Sequence, residues 1–461
     1  MENLIEQFQA LLGTSGVLLG DDVSDRPAAF FGKSGPCAAR AILRPQTTEQ
    51  VSEILKLCTA AGQKIVPYGG GTGLVQGQIA DETEILLSLE LMNKIEKVDG
   101  ASRTAVAQAG VPLQVVQEAA DAEDLFFPLD LGGRGTATIG GNISTNAGGN
   151  RVVRYGMARD NVLGMEAVLA DGTIISSMNH MIKNNAGYDL KQLFIGTEGT
   201  LGIVTRLVLR LREKPRSQNT ALVALESFDN LIAFLKEIDG ALGGNLSAFE
   251  VLWNSFYTTI TAPGEVHRPP LDSHYPYYIL VEAMGGNVET DQDRFEQALM
   301  ATLESGLLAD AVIAKSEAER DAMWAIRDDV VIFLDKGPAF SFDVSLQISD
   351  MEEYANKVHS AVAEKWPDGN VITFGHIGDG NMHYLVSVGD DSEETHHAVE
   401  EIVYHNLAPY HGSVSAEHGI GNEKKAWLPI SRSENEIALM RRLKAAMDPD
   451  GILNTGKVLG A

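Results

Sequence analysis

Residues 64–74 read KIVPYGGGTGL, and residues 131–156 read LGGRGTATIGGNISTNAGGNRVVRYG. The first is a short β-type run that breaks into Gly69, Gly70, Gly71 and Gly73, with Thr72 among them. Glycine lets backbone N–H groups approach a ligand closely and adopt positive φ, which shapes a concave anion site suited to a phosphate or pyrophosphate. The pattern is neither a G-x-G-x-x-G opening a helix nor a P-loop, because no Gly-Lys-Ser/Thr follows. By itself it also reads as a flexible surface loop. The second stretch adds Asn142, Thr145 and Asn146 among glycines, amide and hydroxyl partners for a large polar cofactor. A third cluster, Gly196, Glu198, Gly199 and Gly202, leads into a β-branched run from Ile203 to Leu211. Between the clusters, residues 48–61 and 113–122 carry apolar side chains at three- and four-residue spacing, the helical period. This alternation predicts an α/β or α+β domain ending near Lys214-Pro215.

Composition narrows the function. The chain of 461 residues carries 36 Lys and Arg against 63 Asp and Glu, a net charge of −27. Nucleic-acid binding relies on clustered basic residues that release counterions, so this charge argues against it, and it disfavours an anionic membrane surface. No stretch approaches the roughly 20 apolar residues of a membrane span. The start, MENLIEQFQALLG, is acidic and amphipathic and does not read as a signal peptide. With Cys37 and Cys58 the only cysteines, no disulfide framework is expected and a reducing compartment, the cytoplasm, is. At this length more than one domain is expected.

After residue 216 the glycine clusters thin out. Residues 227–242 and 289–305 read as helices, and 277–284 and 371–388 as strands, giving a mixed domain to about residue 425. Residues 433–447 form an amphipathic helix that stops at Asp448-Pro449-Asp450-Gly451. Within the second domain, residues 374–383 read FGHIGDGNMH. A hairpin with its loop at 378–381 would pair His376 with His383, and two imidazoles so placed can chelate one metal. They also read as ordinary polar hairpin residues. Ser415-Ala416-Glu417-His418-Gly419 supplies a third ligand in Glu417 and a candidate general base in His418. Arg327, on a helical stretch, suits bidentate capture of a carboxylate or a surface pairing with a neighbouring Asp. His396-His397, in an acidic run, reads as a solvated face.

Taken together these segments resemble the FAD-linked oxidases of the vanillyl-alcohol-oxidase type, in the D-lactate and D-2-hydroxyglutarate dehydrogenase branch. PYGGGTGL (67–74) resembles the family's pyrophosphate loop. GTATIGGNISTNAGG (135–149) and KNNAGYDLKQLFIGTEGTLGIVT (183–205) resemble its other FAD-contacting segments. FGHIGDGNMH and SAEHGIG (415–421) resemble its metal and catalytic motifs, and LNTGK (453–457) the C-terminal segment that returns to the cofactor. The resemblance implies an α+β protein. Its two-part FAD-binding domain would span residues 1–215, an α/β cap domain built on an antiparallel sheet 216–425, and a returning C-terminal segment 426–461. It implies FAD contacts at Pro67, Gly69, Gly70, Gly71, Thr72, Gly73, Leu74, Gln78, Leu129, Thr138, Gly141, Asn142, Thr145 and Asn146. Further contacts fall at Gly148, Gly149, Gly156, Glu198, Gly199, Ile203 and Asn454. His376, His383 and Glu417 would hold Zn2+ or Mn2+, His418 would be the general base, and Arg327 would anchor the substrate's C1 carboxylate. Covalently flavinylated relatives carry a His in the pyrophosphate loop; here Tyr68 and Gly69 occupy that stretch, so non-covalent FAD is expected.

Three positions depart from the dicarboxylate-handling branch. Val331 replaces a Thr one helical turn after the Arg, Ser341 replaces a Lys two residues before Asp343, and Leu385 replaces an Asn two residues beyond the second metal His. A buried carboxylate without partners is costly, so an apolar pocket of Val331, Phe340, Phe342 and Leu385 is expected. The implied enzyme is an FAD- and metal-dependent dehydrogenase favouring D-lactate or its apolar homologues. The rivals are a D-2-hydroxyglutarate dehydrogenase, a non-catalytic partner subunit that retains FAD, and, from another class, a metal-dependent hydrolase of a phosphorylated substrate. The electron acceptor, whether quinone, electron-transfer flavoprotein or cytochrome, is left open, as are a homodimer and a peripheral association with a membrane.

Overall fold

The computed structural model describes residues 2–29, 35–334 and 336–460. They fall into two compact units. One takes Met1–Gly148, Gly156–Lys214 and Glu417–Ala461; the other takes Gly149–Tyr155 and Pro215–Ala416.

In the first unit a mixed four-stranded sheet joins β1 (Val17–Leu18), β2 (Ala41–Leu43), β3 (Ile65–Tyr68) and β4 (Ile85–Ser88) in the order β1-β2-β4-β3. Strands β2 and β3 both run parallel to β4, which requires crossovers between them. The crossover from β2 to β3 is the helix Thr48–Ala61. Thr47 caps its start by accepting the Gln50 N–H, and Gly62, at φ 63°, closes its end. Its apolar face buries Val51, Ile54, Leu55 and Cys58 in one core with Ile65, Ile85 and Leu87. An antiparallel five-stranded sheet follows: β5 (Ile95–Asp99), β6 (Thr104–Gln108), β8 (Val162–Val168), β9 (Ile174–Ser177) and β10 (Ile203–Arg210), ordered β5-β6-β10-β8-β9. The short strands β7 (Leu125–Phe126) and β11 (Arg212–Glu213) pair separately.

The C-terminal segment adds a strand-like edge to β3. Ile65 donates its N–H to Ile452 and accepts from Asn454, both at 2.8 Å, while Ile452 and Leu453 enter the core under the helix Thr48–Ala61. Burying one such side chain contributes roughly 1.5–3 kcal/mol. Lys444 fastens the same turn from the helix Glu434–Met447, donating to the carbonyls of Thr200 and Leu453.

The second unit is one antiparallel seven-stranded sheet: β12 (Ser217–Leu225), β13 (Leu246–Trp253), β14 (Tyr277–Gly285), β15 (Asp310–Ile313), β16 (Phe340–Ser345), β17 (Asn370–Gly375) and β18 (Asn381–Ser387). Their order is β15-β12-β14-β13-β17-β18-β16. The period-two alternation gives the two faces different work. One is covered by the helices Phe228–Leu242, Met351–Lys365 and Glu393–Leu407, where Phe234 meets Phe249, Tyr354 meets Tyr384 and Tyr404 meets Phe342. The other carries Glu250, Leu252, Phe374, His383 and Leu385, and faces the helix Glu317–Asp328.

The division after Lys214 lies one residue from the expected one. The later boundary falls after Ala416, nine residues before residue 425, because the N–H groups of Ile420 and Gly421 are bound by Glu198 of the first unit. Residues 149–155 leave the glycine-rich domain for the second unit. There Arg151 pairs with Glu282, and Arg154 donates to Asn245 and to the Met284 carbonyl.

Candidate functional site

In the first unit the two glycine clusters lie against each other. A Cβ on Gly69 would come within 2.9 Å of Thr138 Oγ1, and one on Gly70 would overlap the Thr136 carbonyl. Backbone therefore packs on backbone where any side chain would force the segments apart. Thr138 caps the helix Ile139–Thr145 by accepting the Gly141 N–H, and Thr145 Oγ1 donates back to the Gly141 carbonyl. Gln78 holds the loop from outside, donating to the Gly73 carbonyl at 3.0 Å. Pro67 lies so close to Gly199 (φ 71°) that a Cβ there would overlap its ring. Leu129 and Ile203 are buried in two separate cores of the unit, and Gly71 and Gly156 take φ of 72° and 73°.

Asn142 Nδ2 and Asn454 Oδ1 are buried with no hydrogen-bond partner. Buried polar atoms are nearly always paired, so these two, beside a cradle that a Cβ would fill, fit a large polar ligand such as FAD. Asn146 differs: its Oδ1 already accepts the Arg159 N–H, which makes it a structural residue at the helix end. Gly149 belongs to the second unit. Glu198, at φ 53°, receives the N–H groups of Ile420 at 2.7 Å and Gly421 at 2.9 Å, and its carbonyl receives Asn454 Nδ2 at 2.8 Å. Burial pushes its carboxyl above the usual carboxylate range, against the pull of those two N–H groups and Lys424.

In the second unit the chemistry gathers on Glu250. Its Oε2 accepts from Arg327 Nε and its Oε1 meets His376 Nδ1, both at 2.7 Å, while Arg327 Nη2 lies 3.3 Å from His376 Nε2. Arg327 comes from the last turn of the helix Glu317–Asp328, started by the Ser316 cap, and its guanidinium lies over Phe374 at 5.2 Å. All three polar side chains are buried. Burial alone would raise the Glu250 carboxyl; His376 and Arg327 overcome it and bring it down to about 2. Sequence reading missed Glu250. Its signal was a lone acid in the fully buried run LSAFEVLW, since a charge in such a strand needs a partner.

The hairpin differs from the expected one by two positions. Phe374, not His376, stands opposite His383, because Ile377–Asp379 forms a 3-10 turn closed by Gly380 at φ 89°. The two imidazoles still meet edge to face with centroids 5.2 Å apart, since His376 continues on the face of Phe374. Asp343, opposite His383 on β16, accepts the Ala416 N–H at 2.8 Å. His376 and His383 belong to the second unit, and Glu417 opens the last segment of the first. Two imidazole nitrogens and a carboxylate oxygen are a donor set that suits Zn2+ or Mn2+. His418 is half-buried.

The apolar pocket does not assemble as expected. Phe340 and Phe342 alternate with Ser341 and Asp343 and point to the helical layer, where Phe340 stacks on His396 at 4.6 Å and Phe342 meets Tyr404. His396 thus packs its ring on Phe340 while 34% of its side chain stays exposed, and His397 is 61% exposed. Val331 is 52% exposed. Leu385 alone of the four shares the His383 face, in a core with Ile372, Phe374 and Phe333.

The cradle predicts that Gly70→Ala, which sets a methyl against the Thr136 carbonyl, lowers the ligand occupancy of the first unit. The flavin-to-protein ratio of the purified variant should fall at least fivefold, and wild-type occupancy would show that the two segments can separate without loss.

Comparison with known proteins agrees with both halves. Residues 39–177 match the FAD binding domain family and residues 214–458 the family described as FAD linked oxidases, C-terminal domain. The mitochondrial D-2-hydroxyglutarate dehydrogenase of Arabidopsis thaliana is 36% identical over 456 residues, covering 99% of this chain and 81% of that protein. That of Danio rerio is 38% identical, covering 91% and 78%. A putative mitochondrial D-lactate dehydrogenase of Schizosaccharomyces pombe is 36% identical, covering 98% and 89%. Among solved structures, p-cresol methylhydroxylase superposes with a TM-score of 0.77 at 16% identity, over 99% of this chain and 96% of that one. 4-Ethylphenol oxidase from Gulosibacter chungangensis gives 0.76 at 18%, with the same coverages, so the fold is that of the vanillyl-alcohol-oxidase type. The hydrolase reading is left without support. With a glycine cradle in one unit, a buried Arg and His pair in the other, and these relatives along nearly its whole length, the chain belongs to the FAD-linked oxidases, in the group of D-2-hydroxyglutarate and D-lactate dehydrogenases.

Proposed function

We propose that this chain oxidises D-2-hydroxy acids to 2-oxo acids, with FAD held non-covalently and a divalent ion, zinc or manganese, on His376, His383 and Glu417. The observation that carries the reading is the buried Arg327, whose Nε is taken by Glu250, while its Nη2 stands 3.3 Å from His376 Nε2 and its Nη1 lies 3.8 Å from Asp328. A guanidinium so oriented suits the C1 carboxylate common to all 2-hydroxy acids. When bound, the flavin would accept the hydride of C2 and the ion would polarise the C2 hydroxyl. His418 takes the hydroxyl proton as general base, and Arg327 fixes the carboxylate so that the C2 hydrogen keeps one orientation. An external acceptor of the quinone, electron-transfer flavoprotein or cytochrome class would take up the two electrons. Two buried free cysteines suit a reducing compartment, the cytoplasm in our reading, and no helix among the described residues is long and apolar enough to cross a membrane.

A monocarboxylic substrate fits best. Val331, Ser341 and Leu385 offer no cation, and Leu385 lies with Phe374 in an apolar floor beneath Arg327. The names of the relatives favour a second reading, D-2-hydroxyglutarate, for which the distal carboxylate would need a cation from elsewhere.

Acid precipitation should release the flavin into the supernatant, because Tyr68 and Gly69 stand where covalently linked relatives carry a His; flavin left on the pellet would refute the non-covalent reading. Chelation should abolish turnover while the flavin absorbance persists, and full activity of a rigorously metal-free preparation would sink the metal assignment. D-Lactate or its apolar homologues should bleach the flavin anaerobically with kcat/KM about a hundredfold or more above D-2-hydroxyglutarate, the equivalent of several kcal/mol for a poorly paired carboxylate. A higher kcat/KM for D-2-hydroxyglutarate would establish the second reading instead.

A further inference from the structure

We infer that Glu250 is a positioning residue of the site, a carboxylate that sets both the metal-binding nitrogen of His376 and the direction of the Arg327 guanidinium. The inference rests on the proposed roles of those two residues.

Its two oxygens serve two different side chains at the same short distance, His376 Nδ1 through Oε1 and Arg327 Nε through Oε2, both 2.7 Å. An ionised carboxylate has no proton to give, so the bond to His376 requires the proton on Nδ1. The lone pair is then left on Nε2, the nitrogen that can bind an ion. A carboxylate behind a metal-binding imidazole also raises its basicity and holds the ring plane. The other oxygen engages Nε of Arg327, whose Nη2 comes to 3.3 Å from His376 Nε2. The ligand nitrogen and the carboxylate-binding edge are therefore placed side by side by a single group.

That group is rigid. Glu250 sits mid-strand in β13, between β14 and β17, with 1% of its side chain exposed. His376 and Arg327 reach it from a turn and from a helix end, elements with more freedom than a central strand. Neither a plain core carboxylate nor a surface pair would need both oxygens spent on groups of the same site.

Glu250→Gln tests this in the flavin-loaded protein. Gln keeps the shape but carries no charge and offers one acceptor oxygen, so one partner loses its bond and the other keeps only a neutral, weaker acceptor. Zinc affinity, read by competition with a chelator, should fall 10–100-fold, the range known for such supporting groups. With saturating zinc, KM for D-lactate or D-2-hydroxyglutarate, whichever is oxidised better, should rise tenfold or more while kcat stays within about threefold. Glu250→Asp keeps the charge and so guards against misfolding; its shorter reach should give the same two effects in weaker form. Zinc affinity and KM within twofold of wild type in either folded variant would overturn the inference. His376→Ala separates it from the reading beneath it. Loss of zinc there with unchanged zinc in the Glu250 variants leaves the metal site standing and removes Glu250 from it; wild-type zinc affinity in His376→Ala overturns both.

Discussion

The first unit depends on one buried carboxylate. Glu198 receives two consecutive N–H groups from residues 420 and 421, its own carbonyl receives Asn454, and its N–H donates to Ser144 at the end of the glycine-rich helix. Segments more than two hundred residues apart in sequence are thus tied to one residue, through both its carboxylate and its backbone. Leaving such acceptors and donors unpaired would cost roughly 1–3 kcal/mol each. The left-handed backbone of Glu198 is itself unfavourable for a non-glycine residue, and it persists because so many bonds determine it together.

The second unit solves the same problem with arginine. Two acids on one face of its sheet, Glu250 and Glu282, are almost wholly buried and each is matched to a guanidinium. Glu282 is satisfied by Arg151, Gln218, Thr220, Ser247 and Trp324, which ties residues 149–155 to the sheet and fixes one turn of the helix that also carries Arg327. Such pairs add little net stability over an apolar core, and removing one partner is what costs, about 3–5 kcal/mol. A net charge of −27 sets the overall repulsion of the surface, but the site is governed by these few desolvated charges, where a low dielectric makes each contact count.

Much of the architecture was legible in the sequence because it rests on local rules. The glycines at 69–73 and 140–149 could be read as a cradle since only glycine tolerates that backbone approach, and the observed overlaps of added Cβ atoms give the reason. Helices at Phe228–Leu242, Val288–Glu304 and Glu434–Met447 and the strand Tyr277–Gly285 lie where periodicity and caps put them. The histidines, Glu417 and Arg327 stood out as residue types whose chemistry suits a metal and a carboxylate.

What the sequence left undetermined is what depends on register and face. A two-residue slip at the hairpin, caused by a 3-10 turn, changes which residue stands opposite His383, and nothing in GHIGDGNMH distinguishes that turn from a plain four-residue loop. Period two alone says that Phe340 and Phe342 share a face; only the pairing of β16 with β18 and the helices beyond decides that it is the face away from His383. Glu250 is an acid among apolar residues until β13 is laid beside β17 and the helix Glu317–Asp328 is packed over both. Residue chemistry and backbone tolerance are properties of the chain itself. Which charges share one another's field is settled only when distant strands come within a few ångströms and water is excluded.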